Sequence, residues 1–195
     1  MDEGYVKFRC KWTKCEPLPY DTINDLNNWR QKLFNNGLIG SYQDGIGFGN
    51  VSARCREGFI ISGTKTGNCQ VLNGSHYTLV TDFNIEKNEV GCNGPIQASS
   101  ETMTHAALYD CSPDVQAVFH VHHEGMWNQL LSKVPTSNQE VAYGTVAMAQ
   151  EMKRLFDKSK NLMVMAGHHG GLVSFGTTLQ EAGDAIFAHK SLFKQ

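Results

Sequence analysis

The run Val115-Gln-Ala-Val-Phe-His-Val-His-His123 constrains this chain more than any other stretch. Val115, Ala117, Val118, Phe119 and Val121 are β-branched, aromatic or small and apolar, which is the composition of a strand. Ser112-Pro113-Asp114 supplies a turn before it, and Gly125 follows it. Side chains alternate along a strand, so His120 and His122 share one face and His123 takes the other. A lone histidine at a strand end is accounted for by a bond to backbone or water. Two imidazoles on one face, one residue apart, have a common reason in a metal ion, for which they form half a site.

Other segments offer the remaining half. Leu162-Met-Val-Met-Ala166 reads as a buried strand that ends at Gly167-His168-His169-Gly170-Gly171, with Leu172 to Phe175 returning as its hairpin partner. Three imidazoles and an open position are a usual catalytic zinc arrangement, so His168 or His169 completes the set begun by His120 and His122. Glu101 is then placed to act as a base or as a labile fourth ligand. A competing set, His120, His122 and Glu124, needs the strand to continue through Glu124, and Gly125 signals its end.

Length and charge narrow the classes of function. A chain of 195 residues suits one domain with a sizeable core, and no internal repeat or boundary interrupts it. The formal net charge of −2 and the lack of a long basic run argue against nucleic acid or an anionic membrane as a partner. No apolar stretch reaches the roughly 20 residues that span a bilayer. The acidic start Met1-Asp-Glu-Gly has no apolar segment of the signal-peptide kind, so a cytoplasmic location is expected. The six cysteines are scattered without a C-x-x-C, and reduced thiols are expected in preference to a disulfide framework. A Cys10–Cys15 pair is the minor alternative.

Two polar loops supply candidate anion sites. A glycine-rich stretch (Gly37, Gly40, Gly45, Gly47, Gly49) leads into Asn50-Val51-Ser52-Ala53-Arg54, which alone reads as a loop and hairpin. The apolar Phe59-Ile60-Ile61 runs into Ser62-Gly63-Thr64-Lys65-Thr66-Gly67, whose hydroxyls, flexible backbone and single cation suit a phosphate. Ser99-Ser100-Glu101 opens a helix that carries Met103, Ala106, Ala107 and Leu108. The serines serve there as caps or as phosphate ligands at a helix N-terminus. Further helices are expected after Asp21 or Thr22, ending at Gly37; from Met126 to Leu131; from Val146 to Phe156; and after the capping box Thr178-Leu-Gln-Glu181. Strands are expected at Tyr5 to Trp12 and at Tyr77 to Val80.

Taken together, Gly49-Asn-Val-Ser-Ala-Arg54, Ile61-Ser-Gly-Thr64, Ser99-Ser-Glu101 with His105 and Tyr109, Ala117-Val-Phe-His-Val-His122, and Gly167-His168 before Gly171 resemble the class II aldolase/adducin family. The pieces fall in the family's order over residues 20 to 190. The resemblance implies an α/β fold of three layers, α/β/α, with a mixed, mostly antiparallel central sheet, in a single domain over residues 1–195 assembled as a homotetramer. It implies zinc or another divalent metal on His120, His122 and a third histidine, and counting back from Phe175-Gly176 favours His168. It implies Glu101 as the acid/base residue, with Asn50, the loop near Thr64 and Thr66, and Ser99-Ser100 around a phosphate. Ser62 and Gly67 belong to the same loop, and Tyr143 is a candidate for a group donated to a neighbouring subunit.

The expected function is that of a metal-dependent, aldolase-type lyase. Its substrate is a small hydroxylated carbonyl compound, a sugar phosphate, cleaved through a metal-stabilised enediolate. A dehydratase, epimerase or decarboxylase on the same site is the alternative, as is a non-catalytic interaction module like the adducin head, which would have lost the ligands.

Overall fold

Period-two alternation of apolar side chains gives the molecule its central sheet. The structure, a computed structural model, describes residues 5–191, so the acidic start at Met1–Gly4 lies outside the described residues. The chain runs through β1 (Arg9–Thr13), α1 (Tyr20–Asn35), two short strands β2 (Gly40–Ser41) and β3 (Gly47–Phe48), then β4 (Asn50–Cys55), β5 (Gly58–Ser62), β6 (Tyr77–Asn84) and β7 (Glu89–Asn93). It continues with α2 (Thr102–Cys111), β8 (Ala117–His122), α3 (Glu124–Leu130), α4 (Val146–Phe156), β9 (Leu162–Val164), β10 (Gly171–Gly176) and α5 (Leu179–Lys190). An eight-stranded sheet has the order β1-β7-β6-β5-β4-β8-β10-β9, and β2 pairs with β3 in a separate hairpin. β1 runs parallel to β7, whereas the other neighbours are antiparallel.

The two faces of this sheet carry two cores. Phe59, Ile61, Val118, Met163, Val173 and Phe175 pack against Met103, Ala107 and Leu108 of α2 and Met148, Met152 and Leu155 of α4. On the other face Ile60, Phe119, Val121, Leu162, Val164 and Leu172 meet Ile23, Leu26 and Leu33 of α1, Met126 and Leu130 of α3, and Ile186 of α5. This is the three-layer α/β/α arrangement with a mixed, mostly antiparallel sheet that the family resemblance implies. β8 lies between β4 and β10 and is buried at every position, so its run is almost continuously apolar.

Element ends differ from the sequence reading where local chemistry outweighs pattern. α1 starts at Tyr20 behind Pro19, with no side-chain cap from Asp21 or Thr22. Its other end closes through Gly37 N–H to Phe34 O at 2.9 Å and Leu38 N–H to Leu33 O at 3.0 Å, a Schellman pair. β1 is shorter and later than Tyr5 to Trp12. Asn50 to Arg54, read as a loop and hairpin, is the central strand β4, paired with β8 so that Asn50 stands opposite His120. Thr178 does cap α5, accepting from Glu181 N–H at 3.0 Å. All six cysteines are free thiols, and Cys10 lies 3.6 Å from Cys92, not beside Cys15.

Candidate functional site

Three imidazoles meet where β8 ends. His120 and His122 project from β8 on the α2 face, and His168 reaches them from the turn between β9 and β10. His122 Nε2 lies 3.0 Å from His120 Nε2 and 2.8 Å from His168 Nε2. All three side chains are buried. A side chain at Gly171 would place its Cβ 2.6 Å from His168 Cδ2, so glycine is what lets this ring sit in the cluster. His169, the neighbour in sequence, is 69% exposed, lies 3.7 Å from Glu124 and packs on Trp127. The chain turns at His123, which caps α3 by accepting from Met126 N–H at 3.1 Å. Glu124 therefore starts a helix and points away from the cluster, as its 71% exposure shows.

The cluster fits a divalent cation. The carbonyl of Leu172 lies 3.1 Å from His120 Nδ1 and can only accept, so the ring proton is on Nδ1 and the Nε2 lone pair faces the other rings. Burial first, and then the neighbouring imidazoles, push His120 and His122 well below the ordinary histidine range, so both are neutral at neutral pH. Nitrogens that ligate one tetrahedral zinc stand roughly 3.3 Å apart, a separation within small ring movements of that seen here.

A narrow cleft opens onto this cluster. His120, His168, Glu101, Asn50, Ser99, Ser100, Thr66 and Gly67 line it, joined by Phe48, Lys65 and Tyr143. Glu101 is 2% exposed and occupies the N-cap position of α2, yet its side chain makes no capping bond. Thr104 Oγ1 donates to Glu101 Oε2 at 2.6 Å and fixes the carboxylate's orientation. Ser99 Oγ accepts from Glu101 N–H at 3.3 Å, so it braces the turn into the helix. The buried Asn50 Oδ1 has no hydrogen-bond partner among the described residues, which leaves capacity on the cleft wall.

Ser62 and Thr64 are not among the residues that line this cleft. Ser62 Oγ accepts from Val51 N–H at 3.2 Å between adjacent strands, and Thr64 N–H donates to Gln97 O at 2.9 Å. His122 contributes its Nε2 from behind and faces a second hollow with Tyr42, Phe48 and His169. Tyr143, considered for donation to a neighbour, lies in its own chain's cleft, its ring edge-on to His168 at 4.5 Å. The remaining motif residues brace the site. Ser52 Oγ lies 2.7 Å from His105 Nδ1 and 2.8 Å from Tyr109 Oη, and Arg54 binds the carbonyls of Tyr109, Ser112 and Val115.

Sequence reasoning passed over two residues. Arg30, on a helix read as structural, is 1% exposed and donates to the carbonyls of Thr66, Gly67, Cys69 and Gln70. A charged residue beside the apolar stripe Ile23, Leu26, Leu33 was the available signal. Tyr42 lies 2.8 Å from His122 Nδ1, and nothing in a glycine-rich loop foretold it.

Comparison with known proteins agrees with this fold. The profile of the Class II Aldolase and Adducin N-terminal domain family matches residues 40–195. YgbL of Escherichia coli, described only provisionally as an aldolase/epimerase/decarboxylase, superposes with a TM-score of 0.67 at 21% identity, over 89% of this chain and 88% of that one. An L-fuculose 1-phosphate aldolase gives 0.65 at 18% identity, over 92% and 90%. A sugar-phosphate aldolase from Thermotoga maritima gives 0.69 at 16%, over 88% and 91%. At such identities the structural likeness is one of fold. The profile covers most of the chain, and the protein belongs to the class II aldolase and adducin N-terminal domain family.

Proposed function

We propose that this protein is a divalent-metal-dependent lyase of the aldolase type, acting on a small hydroxylated carbonyl compound that carries a phosphate. The observation that carries this reading is the pairing of a buried carboxylate, unused as a helix cap, with a three-imidazole cluster in one cleft. His120, His122 and His168 hold the metal, with zinc the first candidate. A divalent cation there supplies Lewis acidity toward the substrate's carbonyl oxygen. Glu101 takes and returns the proton at the reacting carbon or hydroxyl, in the orientation that Thr104 sets. Asn50, Thr66, Gly67, Ser99 and Ser100 surround the phosphate, and Lys65 adds a cation at the same wall. The printed names of two structural neighbours support a sugar phosphate as substrate. The resemblance further supports a homotetramer of single-domain subunits.

The same residues serve an epimerase or decarboxylase, the other reactions in the description of YgbL. A non-catalytic module predicts a broken ligand set, and the intact cluster counts against it. The test is a screen of the zinc-loaded protein against ketose 1-phosphates and small aldehydes, following cleavage, dehydration, epimerisation and decarboxylation together. Cleavage that a chelator abolishes is expected. Glu101→Gln keeps its size and bonding but cannot take the proton. We expect it to retain metal and lose turnover by at least about a hundredfold. Near-normal turnover in that variant would end the assignment of Glu101.

A further inference from the structure

We propose that Tyr42, on the β2–β3 hairpin, is a positioning residue of the metal centre, which holds His122 with its Nε2 lone pair directed at the other two imidazoles. This rests on the reading that the three histidines hold a metal, and not on which reaction follows.

The hairpin is built to bring an aromatic pair onto His122. Gly40 pairs with Phe48 and Ser41 with Gly47, while Tyr42 N–H donates to Ile46 O at 2.9 Å and Gly45 N–H to Tyr42 O at 3.0 Å. Phe48 packs on Tyr42 at 4.8 Å between ring centroids and on His122 at 5.3 Å. Tyr42 meets the His122 ring edge-on, at 85°. The base of the hairpin is pinned as well, because Gly67 approaches Phe48 so closely that a Cβ there would lie 2.7 Å from the Phe48 backbone N and O.

The ring nitrogens then follow from geometry. His122 Nε2 faces two other Nε2 atoms at 3.0 and 2.8 Å. A proton on it would point into the cluster and block a shared cation. The ring proton belongs on Nδ1, and Tyr42 Oη, 2.8 Å away, accepts it. The backbone of His169 also bonds this ring, so Tyr42 is one of two acceptors. His120 has the corresponding arrangement, with the Leu172 carbonyl as acceptor. Partners of this kind fix the tautomer and raise ligand basicity, and their loss typically weakens metal binding by about 10–100-fold. Because His169 shares the role, the expected loss lies near the lower end.

The experiment measures zinc affinity of the full chain by competition with a chromophoric chelator, for the parent, Tyr42→Phe and His120→Ala. Tyr42→Phe keeps the ring and its packing on Phe48 and removes only the hydroxyl. We expect zinc binding weakened about tenfold in Tyr42→Phe, with a changed visible spectrum of the cobalt-substituted protein, and no tight binding in His120→Ala. Affinity within about twofold of the parent in Tyr42→Phe would overturn the role of the hydroxyl and leave the three-histidine centre standing. Failure of the parent to bind zinc would overturn both. If Tyr42→Phe does not fold, proton NMR of the zinc-loaded parent decides: a slowly exchanging His122 Nδ1 proton in contact with the Tyr42 hydroxyl proton supports the proposal, and a His122 Nδ1 proton without that contact overturns it.

Discussion

At one end of the cleft three imidazoles meet nitrogen to nitrogen, and at the other a set of backbone carbonyls meets a guanidinium. The histidine end gathers imidazole nitrogens, and burial keeps His120 and His122 neutral. The loop end already contains its cation. Arg30 donates to Gln70 and Thr66 at 3.2 and 3.0 Å, and to Gly67 and Cys69 at 3.2 and 2.6 Å. Those oxygens are turned inward to Arg30, so they do not repel an anion at Thr66 and Gly67 on the cleft side. The proposed substrate, with a chelating carbonyl end and a phosphate end, accords with that division.

The comparison breaks most severely at Arg30. Arg30→Met retains an apolar stem but removes the donor shared by the buried or partly buried carbonyls of Gly67, Cys69 and Gln70, each loss costing about 1–3 kcal/mol. We expect at least about 3 kcal/mol of lost stability, read as a melting temperature lower by about 6–12 °C. Zinc stoichiometry of the folded protein should be unchanged. A melting temperature within about 2 °C of the parent would show that the loop does not depend on this charge.

The histidine end responds instead to acid. Burial lowers His105 from 6.5 to about 3 and pushes His120 and His122 well below 6.5. In the unfolded chain these imidazoles take protons near pH 6.5, while in the folded chain they stay neutral. Stability is thus complete above about pH 6.5 and declines below it, at about 1.4 kcal/mol per pH unit for each such group. For His105 the decline runs on to about pH 3. Melting of the chelator-treated protein between pH 7 and pH 5 checks this, and a flat profile would contradict it.

How far each end was legible in the sequence follows from the same contrast. His120 and His122 were readable because strand alternation is local, and an apolar run fixes which residues share a face. The layers of the fold came instead from the family resemblance, because alternation within one strand does not say which helices cover each face. Pattern alone left His168 and His169 open, because the turn after β9 has no periodicity and the outcome depends on Gly171 admitting the His168 ring; only the family resemblance favoured His168. Ser62 and Thr64 look like loop hydroxyls in sequence, but Ser62 ends β5, pairs with Tyr77 of β6 and accepts from Val51 N–H of β4. Arg30 and Tyr42 act across 36 to 80 residues of sequence, a separation at which composition carries no signal.

The central claim is that His120, His122 and His168 make one metal centre in which the side chain of His169 has no part. Metal analysis of the zinc-loaded parent, His168→Ala and His169→Ala, dialysed side by side, tests it most directly. We predict one zinc per chain in the parent and in His169→Ala, with His168→Ala losing most of it because an incomplete ligand set remains. Full occupancy in His168→Ala together with loss in His169→Ala would contradict the assignment.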